Sequence, residues 1–123
     1  MSEEVVTTIN EESIFDSIKE MVLGNSEDNS FDVIIKMLIN SALSTLTQVG
    51  VGPEEGFSIE GSNETWADFI GNDPKRKPWV KNYVYAKVRL GFDTPASSIV
   101  SDVLQKMIAE SEWRLNIECD KSF

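Results

Sequence analysis

Residues 31–50 read FDVIIKMLINSALSTLTQVG, and this stretch decides the fold. Phe31, Ile35, Leu38, Ala42, Leu46 and Val49 recur every three or four residues, the period of one face of an α-helix. Asn29 or Ser30 stands where a cap belongs and Gly50 where a stop belongs, which predicts a helix of about 20 residues. Ile34, Ile39 and Leu43 widen the apolar surface beyond one stripe, so this helix is expected to be central and covered from several sides.

Outward from it, the helical pattern continues on both sides. Ser13 with Asp16 three residues on reads as a helix start, Ile14, Ile18 and Val22 recur at four-residue spacing beside Phe15, and Gly24 ends this short helix. Residues 50–64 read as a long loop, because Gly50, Gly52, Pro53, Gly56 and Gly61 break any regular pattern; Phe57 and Ile59 alternate with polar residues, as in a short hairpin-like excursion. Thr65 with Asp68 predicts a capping box opening a turn or two that carries Trp66, Phe69 and Ile70 and stops at Gly71. After Asp73-Pro74, a regular helix is expected from Pro78, with Val80, Tyr83, Val84, Val88 and Gly91 in register and Trp79, Ala86 and Leu90 beside them. Thr94-Pro95 predicts the start of the last helix, which carries Val100, Leu104, Met107, Ile108 and Leu115. The short connection between the last two helices makes them an antiparallel αα-hairpin. The fold expected is all-α: one small domain over 1–123, of three main helices, shorter helical pieces and the loop at about 50–64, with an acidic leader at 1–12 and a tail at 117–123 expected to be flexible. Apolar residues on more than one face of both last helices predict self-association.

Composition narrows the chemistry. The chain has 123 residues, a formal charge of −10 and 41% hydrophobic residues, too apolar for a disordered acidic chain and long enough for one core. One cysteine, Cys119, forms no internal disulfide, and with no histidine the commonest metal ligand and general base are missing, so no enzyme, metal or cofactor is expected. The start, Met1-Ser2-Glu3-Glu4, is acidic where a signal peptide is basic, and no apolar run reaches the roughly 18 residues of a membrane span; a cytosolic protein with no membrane partner is the expectation.

Several motifs dissolve on inspection. Gly50 to Gly56 is spaced GxGxxxG, follows a helix rather than a strand, and carries Glu54 and Glu55, which repel phosphate. Those two adjacent solvated carboxylates lack the burial that would separate an acid from a base. Asn63-Glu64-Thr65 is a chance sequon. Cys119, between Glu118 and Asp120, is a bystander thiol, since like charges disfavour the thiolate.

One charge feature is sharp. Lys75, Arg76, Lys77, Lys81, Lys87 and Arg89 are six of the 11 bases, with no acid between Asp73 and Asp93 and with Trp79, Tyr83 and Tyr85 interleaved. Such a segment grips nucleic acid or meets an acidic surface on a neighbouring copy; the first thirty residues, at −7, supply such a surface, and the acidic remainder of the chain opposes DNA. A subunit interface through these bases, Trp79, Tyr83, Trp113 and Arg114 is the reading favoured; a small nucleic-acid-binding protein using 75–89 is the alternative, and an acidic DNA mimic a third.

Three stretches carry a resemblance: 31–35 with 40–52; Thr65-Trp66-Ala67-Asp68-Phe69-Ile70-Gly71; and 80–93 with Pro95, joined by Glu112-Trp113-Arg114-Leu115-Asn116. Together they resemble the small α-helical head-to-tail connector (adaptor) proteins of long-tailed phages and prophages. The resemblance implies a structural virion protein assembled in the bacterial cytoplasm. Its copies would form a ring of about twelve, following the portal protein, beneath which it docks. It would extend the DNA channel and carry the next connector or tail-completion protein, with DNA passing through an acidic wall unbound and no catalysis. Free subunits can stay monomeric until docking orders their loops. Glu54, Glu55, Phe57, Ile59 and Glu60, in the long loop, are the candidates for portal or lumen contact.

Overall fold

Ser13 opens the first helix as its sequence requires. In the computed structural model, which describes residues 13–24, 28–71, 73–92 and 98–121, with side chains as far as Leu115, the Asp16 amide donates to the Ser13 hydroxyl at 3.1 Å. Helix α1 runs Ile14–Leu23, and Gly24 closes it at φ 70°, its N–H donating to the Glu20 carbonyl. Helix α2 runs Asp32–Gln48, α3 Trp66–Ile70, α4 Lys77–Phe92 and α5 Ser98–Lys121; no strand forms among the described residues, so the fold is all-α. The pair Thr65 and Asp68 closes a complete capping box at α3, and Gly71 ends it. Asp73 caps α4 from outside, its carboxylate accepting from the Lys75 and Arg76 amides and its carbonyl from the Lys77 amide.

Four expectations need correction. Neither Asn29 nor Ser30 caps α2: the preceding residue is Phe31, with no side-chain cap, because Asn29 instead accepts from the Lys19 ammonium and Ser30 turns back onto the Asp28 carboxylate. That double contact holds the Asp28 carboxyl below the usual carboxylate range. No hairpin forms at Phe57 and Ile59, since Asn40 on α2 takes both backbone groups of Ile59, donating to its carbonyl at 3.0 Å and accepting from its amide at 2.7 Å. Helix α5 continues to Lys121, so residues 117–121 prolong a helix instead of forming a separate arm. Finally, of the three residues expected to widen the covered surface of α2, Ile39 and Leu43 are buried but Ile34 is exposed, together with Val33 and Met37. The leader and the Thr94-Pro95 start signal lie outside the described residues.

One apolar cluster holds the helices together, with Ile14 and Ile18 of α1, Ile35, Ile39, Leu43 and Leu46 of α2, Trp66 and Phe69 of α3, Val80, Tyr83, Val84 and Val88 of α4, and Leu115 of α5. Trp66 is fully buried and donates its indole N–H to Ser17 Oγ at 3.0 Å; that hydroxyl donates in turn to the Ser13 carbonyl, so the polar edge of the ring is satisfied. The Ile14 amide donates to the Glu64 carbonyl, tying α1 to the turn before α3. Lys19 and Asp32 form a part-buried ion pair at 2.8 Å between α1 and α2.

Helix α4 is the axis of the arrangement. Phe92, at its end, meets Phe31, at the start of α2, edge to face at 5.1 Å, and Leu38 lies against Gly91, so α2 runs antiparallel to α4. Arg114 of α5 lies over the Trp79 ring near the start of α4, so α5 is antiparallel to α4 as well, the expected hairpin. By helical geometry Trp79 stands roughly 120–140° around α4 from Gly91 and Phe92, so α2 and α5 pack on different sides of it.

Candidate functional site

The basic residues of 75–89 do not share a face. Arg76 pairs with Asp73 at 3.2 Å, Lys81 stands 5.9 Å from the Trp66 ring, Lys87 stands 5.8 Å from the Tyr83 ring, and Arg89 donates to the Tyr85 hydroxyl at 3.0 Å. Two residues apart on a helix, Lys87 and Arg89 point about 160° away from each other. Lys77 and Lys81 line a shallow hollow with Met21, Pro74, Pro78 and Asn82, while Lys75 is exposed on the turn before α4. A phosphate backbone needs cations along one track, and the described geometry spreads them around the helix.

Three of the aromatic and basic candidates do come together. The Arg114 guanidinium sits 5.1 Å from the Trp79 ring and 5.4 Å from the Trp113 ring, and it bonds the Glu110 carboxylate at 3.2 Å. Trp79 is half-buried and Trp113 is 58% exposed, so the cluster presents an indole face and a stacked guanidinium at the surface. Tryptophan and arginine are the residues on which protein interfaces concentrate their affinity.

Tyr83, placed by the sequence reading at a subunit interface, is a core residue. It is wholly buried, with its hydroxyl beside Glu112 of α5 and Thr45 of α2. A cleft of about 180 Å³ lies in front of it, lined by Thr45, Leu46, Val49, Glu112 and Leu115. Burial pushes its phenol above the ordinary value, and the nearby Glu112 carboxylate adds to that.

The loop candidates divide in the same way. Ile59 is 3% exposed with its backbone tied to α2, and Phe57 packs on the Phe69 ring at 5.3 Å, so both face inward. Glu54, Glu55 and Glu60 are exposed and form the acidic outer edge of the loop.

The sequence reading expected apolar residues on more than one face of α5 but named neither Ile99 nor Val103, and it did not expect an exposed apolar side on α2. On α5, Ile99 and Val103 are 74% and 54% exposed, in one stripe with Lys106, Glu110 and Trp113. On α2, Val33 and Met37 are 65% and 64% exposed. A signal for the first existed: 99, 103, 106, 110 and 113 step by four and three, a second seam about 150° around the helix from the inner one of 104, 108, 111 and 115. The excess apolar surface therefore sits on α5 and α2; on α4, where it was also expected, Val80, Val84, Ala86 and Val88 are buried. Among the described residues no cluster of acids, cysteine or histidine could hold a metal ion, and no helix is long and apolar enough to cross a membrane.

What this arrangement defines is a helical protein that offers apolar and aromatic surfaces to other proteins. The chain matches the family model described as phage connector protein over residues 14–122, and it belongs to that family. It is therefore a structural phage protein, a virion component whose family joins other head and tail proteins. No match was found among curated proteins or solved structures.

Proposed function

We propose that the protein closes into a homo-oligomeric ring, about twelve-fold where it follows the portal, that docks beneath the portal protein, extends the DNA channel and receives the next connector or tail-completion protein. The observation that carries this is the pair of exposed apolar faces on different helices: Val33 and Met37 on α2, Val103 and Trp113 on α5. A ring of identical subunits needs two distinct, mutually complementary patches, because its contacts are heterologous. A charge of −10 suits a wall past which phosphates slide, since fixed bases would bind DNA by releasing its counterions. The exposed Glu54, Glu55 and Glu60 are the loop residues suited to the lumen or the portal rim. Subunits are made in the host cytoplasm, and those not yet docked gain the ring contacts on the portal.

Native mass spectrometry across a concentration series, without and with the portal ring, tests this reading. Closed high-order species of one stoichiometry are expected, alone or on the portal. A strict monomer in both conditions overturns it.

A further inference from the structure

We infer that the outer stripe of α5 on one copy docks along the outer face of α2 on the next, the two helices running parallel; this rests on the ring reading and names the surfaces that build the ring. The first support is the composition of α2. Its exposed positions between 33 and 48, among them Val33, Met37, Ser41, Ser44 and Gln48, carry no charge, in a chain of which 26% is charged. Its one base, Lys36, is turned aside onto the Glu60 carbonyl at 3.3 Å. A charge-free helix face with two large aliphatic side chains exposed is composed like the centre of an interface, from which charged residues are depleted.

The second support is size and order along the two helices. From Val103 to Trp113 is ten residues, about 15 Å of helix, and eleven residues on from Val33 and Met37, about 16 Å, stand Ser44 and Gln48 of α2. In parallel register the aliphatic Val103 meets Val33 and Met37, while the large indole of Trp113 meets the small Ser44. A shallow depression of about 530 Å³ lined by Met37, Asn40, Ser41, Ser44 and Thr45 gives the seam room. Lys106 and Glu110, between Val103 and Trp113, face the serine hydroxyls, and Glu110 already holds Arg114.

Direction supplies the third support. Both α2 and α5 run antiparallel to α4, so they are parallel to each other within the chain. With the ring axis along these helices, as the proposal has it, rotation preserves that sense and α5 of one copy meets α2 of the next in parallel. Because the two helices pack on different sides of α4, their outer faces point in different directions, as a closing heterologous contact requires.

The test uses the full chain with one charge placed on either face, Met37→Glu on α2 or Val103→Glu on α5. Both positions are exposed, and an unchanged far-ultraviolet circular dichroism spectrum checks the fold. Each variant alone is expected to lose rings, its association weakened at least about tenfold. Mixed one to one, they are expected to form a dimer and stop, since only one intact α2 face and one intact α5 face remain to meet. Rings that persist in both variants overturn the assignment of surfaces and leave the ring reading standing. Self-association of Met37→Glu that equals wild type, with no new species on mixing, means that the α5 stripe pairs with itself and also overturns it. Should wild type form no ring alone or on the portal, the ring reading falls, and oxidation of a Met37→Cys, Val103→Cys chain with Cys119→Ser decides the contact. Intermolecular disulfides keep it; their absence overturns it.

Discussion

At the scale of single residues, Gly52 shows how little freedom the loop before α3 has. Its φ is +90°, which side chains rarely tolerate, and a Cβ there would press into the Phe69 ring. Gly52→Ala is expected to cost about 1–3 kcal/mol, from strain and from displacing a core aromatic, read as a lower urea midpoint with unchanged slope. Tyr83 gives the opposite kind of prediction. Its hydroxyl is buried beside Glu112 and Thr45, so Tyr83→Phe trades a desolvation cost against those polar contacts and is expected to change stability by no more than about 1 kcal/mol. The phenol is raised in the folded chain by burial and then by Glu112, so folding favours its protonated form. Its contribution is fully present below the unfolded tyrosine value near about 10 and is lost as pH rises through the higher folded value. Wild type should therefore lose stability above that pH more steeply than Tyr83→Phe, as unfolding curves at pH 9 and pH 11 would show.

At the scale of elements, the starts and stops written in local side chains were legible in the sequence: Ser13 and Gly24 bound α1, and Thr65, Asp68 and Gly71 bound α3, each acting within three or four residues of itself, whereas α4 was expected from Pro78 and Asp73 holds the amides of the turn before it. The start of α2 was not legible, because Asn29 and Lys19, Ser30 and Asp28 found partners that compete with capping. Nor was the order in the loop at 50–64. Its glycines announce irregular backbone, but the residue that pins it, Asn40, sits within a helix and 19 positions from Ile59 in sequence. That pin makes a prediction. Asn40→Ala leaves the buried amide and carbonyl of Ile59 without their side-chain partner, so the loop is expected to open at a cost of about 1–3 kcal/mol. Hydrogen exchange should quicken across residues 51–60 while the α4 amides keep their protection; protection unchanged in the loop would mean that Val51 and Phe57 alone hold it. The loss of the capping box in Thr65→Ala, in contrast, is expected to cost about 1 kcal/mol and to act on α3.

At the scale of the whole molecule, the sequence revealed which residues are apolar but not which apolar residues the chain itself covers. Periodicity gives a helix its faces, and coverage depends on where neighbouring helices lie: α4 has its apolar residues covered, whereas α2 and α5 each keep an apolar side exposed. The same distinction governs charge. Six bases within fifteen residues look like a nucleic-acid segment when written in a line, yet in the fold four of them, Arg76, Lys81, Lys87 and Arg89, are held by Asp73, Trp66, Tyr83 and Tyr85 around different sides of α4. In the channel role proposed above DNA passes the ring, and the scattered bases among the described residues, in a chain at −10, form no track on which phosphates would dwell. The expected result is that a fluorescent duplex in about 150 mM salt shows no binding tighter than about 10⁻⁴ M, the weak end of non-specific affinity. Charge reversal at Lys81 and Lys87 should then change nothing measurable in that titration. Tight binding that falls steeply with salt and disappears on reversing those two lysines would instead make the segment at 75–89 a nucleic-acid site, because only a track of phosphate contacts gives both the slope and its loss.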